Sequence, residues 1–317
     1  MNQILNGKSN PRLNCDVKYE GNNNKNIEKD RKTHLELERP EQIKPKEKVI
    51  NDDDVIKNEK NSSLFCSRLR AMKTARGEYI LLLDSDDYYC VDACEILYEK
   101  LKDQYPDIME FAYMCEPSKR VIKDNTIYDD TFFERLIKWE APHTIWNKCY
   151  HLPLIKKVVE TTRGIYCNMS EDAFFASIFF TFAKTYRRVD NVLYHYITEG
   201  GISNKKTIDK EVLAKMLKSI MTYREELEVF LKEYNPEGLD GINEGKMREL
   251  RYMSDRIIHL DQSITERIEL LHMIDESFNT RYAEEFEQRL IEGWIRYEDY
   301  TYGRRRHKLK LFLKSIV

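Results

Sequence analysis

The sequence contains no apolar run approaching the roughly 18 residues that a membrane-spanning helix needs. Its opening stretch, MNQILNGKSNPRLNCDVKYEGNNNKNIEKD, lacks the apolar centre of a signal peptide. Both absences give the expectation of a cytoplasmic protein. A charge imbalance is missing too: 52 Lys and Arg stand against 55 Asp and Glu, for a net charge of -3. Without a basic excess, no nucleic-acid surface is expected. The cysteines, seven in number, are scattered with no pair of CxxC units, so neither a disulfide framework nor a zinc site is indicated. Cys90 and Cys94, four residues apart, fit two small buried hydrophobes on one helix face. No internal repeat of about 20 to 50 residues is visible.

Apolar residues are scarcest at the start. Residues 1–63 hold 15 of them against 25 charged residues and 11 asparagines, with Tyr19 the only aromatic. Such a segment buries too little surface to offset its ordering entropy, so it is expected to be disordered. The character changes at Leu64. From there to residue 206 apolar runs alternate with helical patterns, as in an α/β domain.

The clearest strand is Tyr79-Ile80-Leu81-Leu82-Leu83, a run that implies burial on both faces at the centre of a mostly parallel sheet. It ends at Asp84-Ser85-Asp86-Asp87. Ala93, Ile96, Leu97 and Leu101 then recur at helical spacing, and Ile108 to Met114 reads as a strand. A short helix is predicted from Phe132 to Trp139. Ser170 is suited to cap, through its hydroxyl, a helix from Glu171 to about Lys184, and Val192 to Ile197 is a last strand. Residues 207–317 read as a separate helical region, with Leu213, Met216, Leu217 and Ile220 on one face. Its end, around Arg304, Arg305, Arg306, Lys308, Lys310 and Lys314, is a basic amphipathic tail. It suits either a helix lying on an anionic membrane surface or a solvated helix end.

Open α/β sheets bind ligands beyond the C-terminal ends of their strands, where Asp84 and Asp86 form a D-x-D pair. Hard oxygen ligands of this kind suit Mg²⁺ or Mn²⁺, and a solvated acidic turn is the plainer alternative. The surroundings of the pair are more specific. Ser67-Arg68, Ala75 and Gly77-Glu78-Tyr79-Ile80 precede Leu83-Asp84-Ser85-Asp86-Asp87. Ile145-Trp146-Asn147-Lys148, Glu171-Asp172 with Phe174-Phe175, and Leu193-Tyr194-His195-Tyr196 follow in order. In this order and spacing, residues 64 to about 205 resemble the later half of a family 2 glycosyltransferase.

The resemblance implies a GT-A fold, an α/β nucleotide-diphospho-sugar transferase domain. Here it would be truncated on its N-terminal side and followed by the helical C-terminal region. It implies inverting, metal-dependent transfer of a hexosyl group from a nucleotide-sugar, a UDP-sugar, to a glycan or lipid-linked acceptor. By the same resemblance Asp172 is the catalytic base, Asp84, Asp86, Asp87 and Arg68 bind the donor, and Asp86 and His195 hold the metal. Trp146, Asn147 and Glu171 line the acceptor side. Each has a plainer reading: Asp172 as a first-turn acid favoured by the helix dipole, His195 as a residue packed between tyrosines, and Trp146 with Asn147 as a buried pair.

The chain departs from the family pattern in three places. Leu69 and Ala71 replace the asparagine and glycine that usually follow the arginine. The two apolar strands that begin the family domain and bind the base are absent. Val49-Ile50-Asn51-Asp52-Asp53-Asp54 is similar to the second only by chance, given its polar flanks. A non-catalytic remnant, acting as a binding protein, is therefore the alternative function. A phosphotransferase of the D-x-D-x-T kind is excluded because Tyr88 stands at the threonine position.

Overall fold

The computed structural model describes residues 56–123, 128–199, 205–289 and 292, together with the backbone of two strands, Gln3–Lys8 (β1) and Arg12–Asn14 (β2). The basic tail beyond residue 300 and the Val49–Asp54 stretch lie outside the described residues. Leu64–Thr74 (α1) is followed by Tyr79–Leu83 (β3), Tyr88–Tyr89 (β4), Ala93–Leu101 (α2), Ile108–Glu116 (β5) and Arg120–Ile122 (β6). Then come Phe132–Ile137 (α3), Lys148–His151 (β7), Leu152–Thr161 (α4), Glu171–Phe182 (α5) and Tyr186–Ile197 (β8). Further helices are Lys210–Tyr234 (α6), Ile242–Ile258 (α7) and Ile264–Phe278 (α8).

The strands form one sheet in the order β2-β1-β3-β7-β5-β8-β4, with β6 paired to β5. The run from Tyr79 to Leu82 is buried, as its composition required. Its neighbours correct the expectation of a mostly parallel sheet, because β3 runs antiparallel to both β1 and β7. Among the described pairings only β5 with β8 is parallel. The pairing of β1 with β3 also corrects the reading of residues 1–63 as wholly disordered. The open edge of β3 offers a row of backbone donors and acceptors that even a short polar-flanked strand can satisfy.

Period-two alternation sorts the side chains of β3 between two cores. On one face Tyr79 and Leu81 join Met109, Phe111, Trp146, Cys149, Leu193 and Tyr194, covered by Ala93, Leu97 and Leu101 of α2. On the other, Tyr150 of β7 stacks on Phe179 of α5 at 4.2 Å, and Phe65 of α1 stacks on Phe174 and Phe175 at 5.1 and 4.3 Å. Every residue from Ala173 to Phe179 is buried, so α5 is a core helix rather than an amphipathic one.

Element boundaries moved for local reasons. Trp139 takes a left-handed conformation (φ 60°), which ends α3 at Ile137 instead of Trp139. Ser170 is itself left-handed (φ 60°), and its side chain makes no capping hydrogen bond, contrary to the capping expected of it. β8 starts at Tyr186 because its first half pairs with β5 although Arg187, Arg188 and Asp190 give it no apolar pattern.

The chain divides into two compact units, Met1–Asn204 with Ser219–Ile242, and Lys205–Lys218 with Asn243–Val317. The helical region is therefore not separate from residue 207, since the later part of α6 belongs to the α/β unit. There Phe230 and Tyr234 pack edge-on against Phe182, and Gly238 meets α3. A β-carbon on Gly238 would lie 2.9 Å from the Phe133 ring and 3.2 Å from Leu231. Gly238→Ala is expected to destabilise this unit by about 1–3 kcal/mol through overpacking. A denaturation midpoint equal to wild type would refute that. In the second unit, Ser263 and Glu266 form a reciprocal capping box at the start of α8.

Candidate active site

Asp84-Ser85-Asp86-Asp87 follows β3 as a tight turn, closed by the Asp87 N–H donating to the Asp84 carbonyl at 3.2 Å. The turn sorts its three carboxylates. Asp84 points at Arg68. Asp87 is held by the Tyr194 hydroxyl, donating to Oδ2 at 2.6 Å, and by the Ile197 N–H, donating to Oδ1 at 2.7 Å. Burial raises the Asp87 carboxyl to about 6 despite these bonds. Asp86 is exposed, and its side chain has no hydrogen-bond or ion-pair partner among the described residues.

The centre of the site is a cation. The side chain of Arg68, on α1, is 1% exposed, and Nη2 donates to Asp84 Oδ1 at 2.7 Å. Nη1 donates to Glu171 Oε1 at 3.0 Å and to Asp172 Oδ1 in a shorter contact. Burial alone would disfavour its charge, but Asp172, Asp84 and Glu171 together outweigh that and keep the guanidinium protonated. Asp172 and Glu171 are both shifted upward, first by burial, with Arg68 pulling the other way. The side chains of Asp84 and Asp172 remain 25% and 29% exposed, so they face the opening while Arg68 lies beneath them.

Other expected site residues fall elsewhere. Arg68 does not reach toward a donor, because it is enclosed by these carboxylates. Asn147 is buried: Oδ1 accepts from the Thr144 hydroxyl at 2.8 Å and from Lys148 Nζ at 3.0 Å. Trp146 is 6% exposed, between the rings of Tyr194, Tyr196 and Tyr113. Both are core residues rather than part of an open acceptor surface. Their plainer reading holds because an indole with three aromatic neighbours is better buried than wet. His195 Nδ1 lies 3.1 Å from Glu116 Oε1 and Nε2 lies 3.4 Å from Cys90 Sγ, while its ring stacks on Tyr88. Both ring nitrogens already have partners.

Behind the site lies a network that sequence reasoning missed. Lys148 and Glu110 have side chains 2% and 1% exposed, with Nζ 3.4 Å from Oε2. The same carboxylate accepts from the hydroxyls of Tyr128 and Tyr186. The available signal was Glu110 itself, a single acid inside the apolar strand Ile108–Met114, where a charge demands a partner.

Residues 48–157 match the family model for glycosyl transferase family 2. Over this segment the chain is similar to a family 2 glycosyltransferase. The mixed sheet with its packed helices is the α/β layer expected from the sequence. The match starts ahead of Val49, so the stretch set aside as a chance likeness falls inside the family segment. It ends before Glu171 and Asp172, whose place in the site is therefore a matter of geometry. A curated relative, EpsH of Bacillus subtilis (strain 168), carries a glycosyltransferase name. It is 28% identical over 227 residues, 68% of this chain and 61% of that protein. The chain thus spans about three fifths of this relative's length.

Among solved structures, S. aureus TarS 1-349 covers 76% of this chain at 15% identity with a TM-score of 0.38, the match spanning 74% of that chain. The same protein in complex with UDP-GlcNAc gives 16% identity and a TM-score of 0.41, over 76% of this chain and 75% of that one.

A divalent cation fits the family domain only in part. Among the described residues no group of three His, Cys, Asp or Glu side chains is placed to hold one. Asp86 can offer a single exposed carboxylate. That suffices for Mg²⁺ or Mn²⁺ when substrate phosphates and water complete the shell. Among the described residues, no helix is long and apolar enough to cross a membrane.

Proposed function

We propose that this chain transfers a hexosyl group from a nucleoside-diphosphate sugar, a UDP-sugar by its family resemblance, to a glycan or lipid-linked acceptor with inversion at the anomeric carbon. One observation carries the proposal. Asp84 and Asp172, 88 residues apart in sequence, meet on one guanidinium with their side chains partly open to solvent. The turn after β3 and the first turn of α5 therefore line the same opening, one for the donor and one for the acceptor.

In this reading Asp172 accepts the proton of the attacking hydroxyl as the new bond from oxygen to the anomeric carbon forms. The bond from that carbon to the diphosphate breaks on the opposite face, and its electron pair leaves with the diphosphate. Burial, by shifting the Asp172 carboxyl upward against the pull of Arg68, makes it a stronger base. Asp84 and Asp87 form the donor side of the turn. Asp87 orders it through Tyr194 and Ile197, so this tyrosine of β8 becomes a support for the donor loop. Asp86 would hold Mg²⁺ or Mn²⁺, which supplies charge neutralisation for the leaving diphosphate when bound. His195, with both nitrogens engaged, is left out of that set.

The experiment is titration of nucleoside diphosphate and Mn²⁺ into wild type and Asp86→Asn by calorimetry. Losing one charged ligand is expected to weaken metal-dependent binding by roughly tenfold or more. Equal Mn²⁺-dependent affinity in the variant would remove the metal assignment. Absence of transfer and of donor hydrolysis with every common nucleotide-sugar would instead favour the non-catalytic binding protein.

A further inference from the structure

Three features stand out beside the roles proposed above: a cavity of about 330 Å³ beside Arg163 and Glu226, the Cys90–His195–Glu116 chain and the Arg68 cluster. The cavity's one bidentate ion pair, Arg163 with Glu226, is already mutually satisfied. Cys90 also contacts the Val192 carbonyl at 3.2 Å, and burial pushes its thiol up, away from reactivity.

We propose that Arg68 is a positioning residue: by bridging Asp84 at the end of β3 to Asp172 on the first turn of α5, it sets the base in register with the donor turn. The roles of the two carboxylates rest on the function proposed above; the bridge itself is geometric. Arg68 comes from a third element, α1, so a single side chain ties three segments together. With 1% of its side chain exposed it has no surface to offer a substrate, and so it acts through its neighbours.

Three carboxylates against one cation leave an excess of negative charge. Without the cation they would repel, and at least one would turn away or take up a proton. The bridge also needs the planar guanidinium fork. Nη1 serves the α5 acids while Nη2 serves Asp84, a division that a lysine ammonium, a single point of charge, cannot copy. The groups acting on Asp172 come from every element around it. They are Arg68 from α1, Asp84 from the turn, Glu171 on its own helix, and Lys148 and Tyr150 from β7. Removing Arg68 leaves Lys148 as a remaining counter-charge, together with both neighbouring acids.

The test reads the Asp172 carboxyl directly in the full-length protein, by carbon-13 NMR titration with Asp172→Asn identifying the resonance. Arg68→Met is expected to move its midpoint up by about one pH unit or more, and Asp84→Asn to move it down. Arg68→Lys keeps a charge but loses the fork. Its turnover is expected to fall by roughly tenfold or more, with the donor KM within about threefold of wild type. Midpoints unmoved in Arg68→Met and Asp84→Asn would overturn the proposal, as would full turnover in Arg68→Lys. Asp84→Asn leaves Arg68 in place, so it decides the matter even if the Arg68 variants do not fold. A wild-type protein that transfers no sugar would count against the proposed function alone, because the titration is read without turnover.

Discussion

Asp172→Asn is expected to lower turnover by roughly 100- to 10,000-fold, the usual cost of losing a positioned general base. Donor affinity should stay within about threefold, because the substitution removes a proton acceptor and leaves the turn after β3 intact. The amide keeps the size of the side chain and can still meet Arg68, which makes the change mostly one of charge. Electrostatics sharpen the contrast. The carboxyl is shifted up by burial, and Arg68 restrains that shift, so wild-type activity should fall as pH drops and Asp172 takes up its proton. The variant should show no such limb. If Asp172 only complements the dipole at the start of α5, the cost is about 0.3 to 1 kcal/mol of stability and turnover is unchanged. Single-turnover kinetics with saturating donor separates the two outcomes, and near-normal turnover in the variant would place the base elsewhere.

The largest expected effect on stability belongs to Lys148→Met. Lys148 and Glu110 face each other under the site, both nearly sealed from water. Glu110 Oε1 already has no hydrogen-bond partner among the described residues, so the pair has no reserve. Removing the ammonium leaves a buried carboxylate supported only by two phenol hydroxyls, and the expected loss is about 3–5 kcal/mol. Lys148 also donates to the Thr144 carbonyl at 2.8 Å and to Asn147, so the loop leading into β7 should loosen with it. The double variant Glu110→Gln with Lys148→Met removes the stranded charge and should recover part of the loss. Urea denaturation checks both, and a single variant within about 0.5 kcal/mol of wild type would show that the pair is dispensable.

Residue type and order along the chain were enough to place a buried strand at Tyr79–Leu83, an acidic turn after it, and a helix starting at Glu171. Those features follow from local pattern: a continuous apolar run cannot sit in water, and a cluster of acids cannot sit inside. They also carried the family resemblance, because its motifs are short and ordered. Which way neighbouring strands run was beyond that reach. An apolar run looks the same whether its partners are parallel or antiparallel, and β3 has antiparallel partners on both sides. The first half of β8 escaped for a related reason, since its arginines carry no apolar pattern and only pairing with β5 makes it a strand.

The roles of individual site residues divided in the same way. Asp84, Asp86 and Asp87 are adjacent in sequence, yet only the folded turn aims one at Arg68, one at Tyr194 and one at solvent. Trp146, Asn147, His195 and Arg68 could each have faced a substrate. What turned them inward is the set of partners that the fold brings from distant segments: Tyr194 and Tyr196, Thr144 and Lys148, Glu116 and Cys90, Glu171 and Asp172. The sequence by itself determined the family resemblance, the acidic turn and the core strand, because these depend on composition and short-range order. Only the tertiary structure decided which charges meet, because a buried ion takes its role from neighbours dozens of residues away.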